Sequence, residues 1–149
     1  MGQLMYFAYG SNLDTKQMRS RCASASVDAR AVLRNHALAF GGFSARWGGP
    51  VATLVPTRGA RVEGLLYVLQ PADLRSLDRH EGHPFVYDRV KLLVTDEHGR
   101  RRRAEVYLQP KPHGGPWSPP PRYARVLRRA YKRLGFDASR LAVESEVTP

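Results

Sequence analysis

Short β-type segments that follow one another with only turns or short helices between them constrain this fold more than any other feature. Apolar or alternating stretches are bounded by turn residues such as Gly10-Ser11, and residues 96–99 are typical of a hairpin turn. The long crossover helices of a doubly wound sheet are missing. About six strands therefore predict an α+β fold, built on a small mixed or antiparallel β-barrel with short flanking helices. The segments with β character are 3–9, 27–33, 36–43, 51–57, 61–69, 85–95 and 103–109.

Short helices are expected to flank this sheet. Ser11 or Asn12 is suited to the N-cap of the first helix, and Ser11 with Asp14 resembles a capping box. Pro71 is suited to the first turn of the second helix, and Gly82 is suited to its C-terminal cap. The predicted helices cover residues 13–21, 71–81 and 122–134.

The size and composition of the chain fit one domain over residues 1–149. Hydrophobic residues make up 42% of the chain and charged residues 25%, which is a globular rather than a disordered composition. Residues 110–121 are rich in proline and glycine and predict a loop, which a C-terminal helical segment at 122–149 follows.

Several classes of protein are disfavoured by what the sequence lacks. No apolar run approaches the roughly 20 residues of a membrane helix, and the N-terminus lacks the features of a signal peptide. Cys22 is the only cysteine, which excludes an intrachain disulfide and a cysteine-rich metal site. We therefore expect a cytoplasmic protein without a membrane partner.

The net charge of +11 is concentrated in one segment. Residues 100–133 hold 11 basic residues and one acidic residue, so they account for +10 of it. Such a segment could bind nucleic acid or an acidic partner. The simpler interpretation, which we prefer, is a solvated surface in a chain whose basic residues are 20 Arg and 4 Lys.

The segment Tyr9-Gly10-Ser11-Asn12-Leu13 lies where a strand ends and a helix begins. A tight turn at this place would direct several backbone N–H groups to one side, where they could bind a carboxylate, a phosphate or an oxyanion. The alternative is an ordinary capped turn, because Ser, Asn and Gly are common turn residues.

Glu81 breaks two local rules at the end of the second predicted helix. On a helical projection it falls between Leu74 and Leu77, on the apolar side, and the helix dipole disfavours a negative charge in the last turn. Partial burial would raise its pKa and suit it to general base catalysis near neutral pH. The alternative is that the helix frays before Glu81 and the side chain turns into solvent.

Motifs for other chemistries are missing from the sequence. There is no dinucleotide-binding glycine pattern, no phosphate-binding P-loop and no Gly-x-Ser-x-Gly nucleophile elbow. His80 and His83 lack the spacing that would put two histidines on one helical face. We therefore expect neither a metal nor a cofactor.

Two stretches resemble signatures of the gamma-glutamylcyclotransferase family. Residues 6–13, Tyr-Phe-Ala-Tyr-Gly-Ser-Asn-Leu, resemble its substrate-binding signature, and residues 77–82, Leu-Asp-Arg-His-Glu-Gly, resemble its catalytic acid region. The resemblance covers roughly residues 4–135 and implies a small β-barrel. It also implies an enzyme that converts gamma-glutamyl amino acids to 5-oxoproline and a free amino acid, with no metal or cofactor.

The resemblance assigns roles to particular residues. Glu81 would be the acid–base residue, and Tyr107 would contact the substrate. The segment implied to line the substrate site consists of Tyr6, Phe7, Ala8, Tyr9, Gly10, Ser11 and Asn12.

Alternatives remain at this stage. The reaction could be the same ring closure with a different substrate, either a gamma-glutamylamine or an acylated biosynthetic intermediate. A binding module for nucleic acid or an acidic partner, built on residues 100–133, is a different class of function. The resemblance is also compatible with a homodimer.

Overall fold

The computed structural model describes residues 3–110 and 118–141. Five strands and three α-helices follow one another along the chain. In chain order they are β1 (Leu4–Ala8), α1 (Thr15–Arg21), β2 (Ser26–Ser44), β3 (Gly49–Leu69), α2 (Pro71–Glu81), β4 (Asp88–Asp96), β5 (Arg101–Leu108) and α3 (Pro121–Leu134). Two short 3₁₀ turns, Ser11–Leu13 and Ala138–Arg140, complete the described elements.

The five strands close into a barrel in the order β1-β3-β2-β4-β5. Four of the pairings are antiparallel, and β1 closes the barrel by pairing in parallel with β5, where Tyr6 lies opposite Glu105. The α+β fold with a small mixed barrel and short flanking helices is therefore confirmed.

The strands are fewer and longer than the sequence pattern predicts. Segments 27–33 and 36–43 belong to one strand, β2, and segments 51–57 and 61–69 belong to β3. Asn35, with a φ of +60°, lies at a register shift between β2 and β3, so the paired strands bend there without separating. Residues typical of turns within β2 and β3 therefore do not end these strands, because the two strands continue to pair.

Gly64 lies at a close approach between strands. Gly64 pairs in regular register with Ala31 of the neighbouring strand β2. A Cβ atom at this position would collide with the carbonyl oxygen of Ala8 and with the ring of Phe7. Glycine is needed at this position because of the close packing of β1 against β3.

The second and third predicted helices agree with the structure, whereas the first begins later. Helix α2 has the predicted limits, and Gly82 ends it in the left-handed conformation with a φ of +66°. Helix α1 begins at Thr15, where Asp14, and neither Ser11 nor Asn12, accepts a hydrogen bond from the Lys16 N–H.

Parts of two predicted segments lie outside the described residues. These are most of the proline-rich loop at 110–121 and the end of the helical segment at 122–149. No helix in the part of the chain that the structure describes is long and apolar enough to cross a lipid bilayer.

Candidate active site

A cavity of about 710 Å³ lies where three parts of the fold meet. Its walls come mainly from the turn after β1, from the end of β2 with the loop that follows it, and from the end of α2 with the loop that follows it. Sites for small molecules commonly have volumes of roughly 300–1,000 Å³. The cavity is therefore large enough for a small-molecule substrate.

Glu81 contributes its carboxyl group to this cavity from the last residue of α2. Its side chain is 16% exposed, so the helix does not fray into solvent before it. Burial raises the pKa of Glu81 to about 7, and the positive charge of Arg21 opposes this rise. The carboxyl group can therefore both accept and donate a proton near neutral pH.

Arg21, the last residue of α1, lies beside Glu81 in the cavity wall. Its side chain is 7% exposed, and its Nη1 atom lies 3.6 Å from Oε2 of Glu81. The same nitrogen donates a hydrogen bond of 3.2 Å to Oδ1 of Asn12. No sequence pattern singles out Arg21, because a basic residue in the last turn of a helix is ordinary in an arginine-rich chain.

The chain after β1 forms the 3₁₀ turn that carries part of the cavity wall. Within it, the N–H of Leu13 donates to the carbonyl of Gly10, and the N–H of Asp14 donates to that of Ser11, both at 3.0 Å. The N–H groups of Ser11 and Asn12 stand at the start of the turn, so they have no carbonyl acceptor within it. The turn therefore has the geometry to offer donors to a ligand.

Asn12 fixes this turn to the barrel and is itself only 3% exposed. Its Nδ2 donates to the hydroxyl of Tyr6 at 2.9 Å, and its Oδ1 also accepts from Nε2 of Gln17 at 3.0 Å. Its carbonyl accepts from the hydroxyl of Tyr67 at 2.8 Å. Because both ends of the residue are bonded, the turn is held rigidly against the barrel wall.

Buried tyrosines bond the inner wall of the cavity to the backbone. The hydroxyl of Tyr87 donates to the carbonyl of Ala52 at 2.5 Å, and the hydroxyl of Tyr123 accepts from the Ala52 N–H at 3.0 Å. The hydroxyl of Tyr9 donates to the carbonyl of Tyr107 at 2.5 Å. Burial raises the pKa of Tyr9, Tyr87 and Tyr123, so these hydroxyls stay protonated near neutral pH.

The hydroxyl of Tyr107 is bonded to another side chain. It donates to Oδ1 of Asp78 at 2.6 Å, and Arg89 joins Asp78 to the buried Glu105. Asp78 lies one turn before Glu81 on α2. This network therefore anchors the end of α2 that carries Glu81 to strands β4 and β5.

The structure brings most of the predicted site residues together, but two of them lie elsewhere. Phe7 and Ala8 have no exposed surface and are not part of the cavity wall, because both are buried where β1 pairs with β3. The predicted residues that do line the cavity are Tyr6, Tyr9, Gly10, Ser11, Asn12, Glu81 and Tyr107.

Part of the basic segment 100–133 is neutralised by neighbouring carboxylates. Nη1 of Arg102 lies 3.1 Å from carboxylate oxygens of both Asp28 and Asp96, and Nε of Arg100 lies 3.3 Å from Asp96. Within residues 3–110 and 118–141, no group of three or more His, Cys, Asp or Glu side chains is arranged to hold a metal ion.

The protein has a closed five-stranded barrel, and its cavity is built around one buried carboxyl group. It therefore belongs to the class of small α+β barrel proteins. A family model described as "Gamma-glutamyl cyclotransferase, AIG2-like" matches residues 6–125. The chain belongs to this family and is an enzyme of this type, so the resemblance seen in the sequence is confirmed.

Individual relatives agree with this assignment. Gamma-glutamylcyclotransferase of Mus musculus is 33% identical over 137 residues, which span 89% of this chain and 72% of the mouse protein. The Homo sapiens protein of the same name is 30% identical over the same shares of the two chains. A solved structure named "Gamma-glutamyl cyclotransferase" has a TM-score of 0.81 at 29% identity, covering 90% of this chain and 81% of the other.

Proposed function

We propose that this protein cyclises gamma-glutamyl amino acids to 5-oxoproline and releases the free amino acid, with Glu81 as general base and then general acid. The observation that carries this proposal is a carboxyl group, buried in the cavity of a gamma-glutamyl cyclotransferase family member, whose pKa is raised to about 7.

The proposed reaction is an intramolecular aminolysis. Glu81 takes a proton from the substrate's α-ammonium group, and the free amine attacks the γ-carbonyl carbon. A five-membered ring closes, and the carbonyl oxygen becomes an oxyanion. Protonated Glu81 then gives the proton to the departing nitrogen, and the original amide C–N bond breaks. The second proton that the ring nitrogen loses passes to the released amine, so the free amino acid leaves as its ammonium form. All product atoms come from the substrate, so the reaction needs no water, metal or cofactor.

The raised pKa of Glu81 supports both proton transfers. Near pH 7 a group with a pKa of about 7 is present in comparable amounts as acid and as base. General acid–base catalysis by such a group typically contributes a factor of about 10²–10⁴ in rate. Holding the substrate in a folded conformation lowers the barrier further, by roughly 7–11 kcal/mol in favourable intramolecular reactions.

The turn formed by Tyr9 to Asn12 is the proposed cradle for the oxyanion or for the substrate's α-carboxylate. Gly10, Ser11 and Asn12 line the same cavity as Glu81, and the hydrogen bonds of Asn12 hold the turn in place. A preorganised donor to an oxyanion contributes about 2.7–4 kcal/mol to catalysis. Tyr6 supports this cradle, because its hydroxyl accepts a hydrogen bond from Asn12.

The experiment that tests this function measures 5-oxoproline and free amino acid released from gamma-glutamyl dipeptides. Wild-type protein should release the two products in equal amounts. Glu81→Gln should lower kcat by about 10²-fold or more while the circular dichroism spectrum stays unchanged. Glu97→Gln is the matched control, since Glu97 is exposed and lies outside the cavity wall. Near wild-type cyclisation by Glu81→Gln would refute the assignment.

A further inference from the structure

The outer part of the cavity carries exposed apolar side chains from two separate segments. Phe43, near the end of β2, is 69% exposed, and Phe85 and Val86, in the loop after α2, are 88% and 52% exposed. All three line the cavity that contains Glu81. Of the large apolar side chains exposed in the described residues, only Val27 and Leu93 lie away from it. Apolar surface gathered at the opening of a cavity is typical of a binding site.

A guanidinium group shares this outer part of the cavity. Arg46 lines the cavity wall, and its Cζ atom lies 5.3 Å from the centre of the Trp47 ring. Cζ of Arg122 lies 4.8 Å from the same ring centre, and its Nη2 donates to the Arg46 carbonyl at 2.9 Å. Stacking on the aromatic ring restricts where the Arg46 guanidinium can point.

The positive charges around Arg46 are not balanced by a nearby carboxylate. Among the described residues, no Asp or Glu oxygen lies within 4.0 Å of Arg46 or Arg122. Partial burial and repulsion from Arg21 and Arg122 lower the pKa of Arg46. An anionic group placed beside Arg46 would relieve this repulsion and accept charge-assisted hydrogen bonds.

We infer that this outer part is the subsite for the leaving amino acid, and that the preferred substrates are gamma-glutamyl derivatives of large apolar α-amino acids. The side chain of the leaving amino acid packs on Phe43, Phe85 and Val86, and its α-carboxylate pairs with Arg46. This inference rests on the proposed function, because it assumes that the gamma-glutamyl part of the substrate occupies the inner end of the cavity beside Glu81.

The position of the subsite follows from the gradient of exposure along the cavity. The reacting carbonyl must lie beside Glu81, whose side chain is 16% exposed, whereas the rim residue Phe85 is 88% exposed. With the gamma-glutamyl part at the inner end, the leaving group, which is attached to that carbonyl, extends towards the rim. A gamma-glutamylamine would leave Arg46 without an anion, and a small amino acid would leave the apolar rim in water.

Four substrates separate the two parts of this inference. The panel consists of gamma-glutamyl-phenylalanine, gamma-glutamyl-alanine, gamma-glutamyl-phenethylamine and gamma-glutamyl-ethylamine, and kcat/KM is measured from 5-oxoproline release. Each amine lacks only the carboxylate of the matching amino acid, so the panel varies the aromatic ring and the carboxylate independently. We expect each feature to raise kcat/KM by about tenfold, as for one apolar group or one charged contact at a partly exposed site.

Two variants assign these preferences to residues. Arg46→Gln should reduce the preference for the carboxylate while retaining most of the preference for the ring. Phe85→Ser should have the opposite pattern. Arg125→Gln and Leu93→Ser are matched controls, because both residues are exposed and lie outside the cavity wall. The thermal midpoint of unfolding is measured for each variant to verify that it folds.

The outcomes distinguish failure of the subsite from failure of the function. Equal kcat/KM for all four substrates, or preferences that neither Arg46→Gln nor Phe85→Ser alters, would overturn the subsite alone. A preference for the amines over the amino acids would also overturn it. Absence of 5-oxoproline from every substrate would overturn the proposed function, and the subsite with it.

Discussion

The guanidinium of Arg21 lies 3.6 Å from the carboxylate of Glu81, although the two residues end different helices and two long strands separate them in the chain. Arg21 is the neighbouring cation whose charge lowers the pKa of Glu81, while burial raises it. The structure therefore places a residue that modulates proton affinity beside the proposed acid–base group.

Replacing Arg21 should shift the pH dependence of turnover. In Arg21→Met, the charge that favours ionised Glu81 is lost, so the pKa of Glu81 rises. The ascending limb of the kcat/KM profile, expected near pH 7 in the wild type, should then move up by about one pH unit. Arg19→Met, an exposed position on the same helix, is the control. An unmoved limb would show that another group, such as the substrate ammonium, controls it.

Protein stability should also depend on the ionisation of Glu81. Its pKa is raised from 4.5 to about 7 in the folded state, so between these pH values the folded protein binds more protons than the unfolded chain. The contribution of Glu81 to stability is therefore present below pH 4.5 and is lost as the pH rises through 7. At about 1.36 kcal/mol per pH unit, the full loss is roughly 3 kcal/mol.

Glu81→Gln removes this dependence. The free energy of unfolding of Glu81→Gln minus that of the wild type should increase by roughly 2–3 kcal/mol between pH 4 and pH 8. Urea unfolding at several pH values measures the difference. A constant difference over this range would mean that Glu81 has an ordinary pKa in the folded protein.

The hydroxyl of Tyr107 should matter for stability more than for substrate affinity. It donates to Asp78, so Tyr107→Phe removes one partly buried hydrogen bond and should lower the free energy of unfolding by about 1 kcal/mol. Asp78→Asn should lower the free energy of unfolding by more than this, because it also weakens the ion pair with Arg89. A raised KM without loss of stability would favour the direct substrate contact that the family resemblance implies.

Substitution of Gly64 should destabilise the barrel. In Gly64→Ala the added methyl group meets the backbone oxygen of Ala8, which cannot move without breaking the β1–β3 pairing. We expect a loss of about 3 kcal/mol, at the upper end of the usual cost of overpacking. At Gly99 an added methyl group would have open space around it, but the backbone φ is +83°. Gly99→Ala should therefore lower the free energy of unfolding by only about 1–2 kcal/mol. Equal costs in thermal unfolding would argue against the close approach.

Local sequence patterns predicted the features that depend on residues close together in the chain. Helix α2 begins at Pro71 and ends before Gly82, as expected. Glu81 faces the interior, as the spacing of the apolar residues in that helix predicts. Steric limits on proline and glycine act within a few residues, which makes such helix ends readable from sequence. The two segments that resemble the family, residues 6–13 and 77–82, are likewise short runs of consecutive residues, so they can be recognised in the sequence.

Interactions across the barrel decided the features that local sequence patterns do not predict. Phe7 and Ala8 belong to the family signature, yet both are fully buried in β1, which pairs with β3 and β5, and neither lines the cavity. The turn signals in β2 and β3 did not end those strands, because cross-strand hydrogen bonds continue through the bends.

Residues close together in the chain define the class of fold, the limits of α2 and the acid on its buried side, so these features could be predicted from the sequence. Contacts between distant segments place Arg21 beside Glu81, put the turn at Gly10 to Asn12 in the same cavity, and set Arg46 and Phe85 at its opening. Barrel closure brings these distant segments together, and their contacts set the charge and burial from which the proposed chemistry follows.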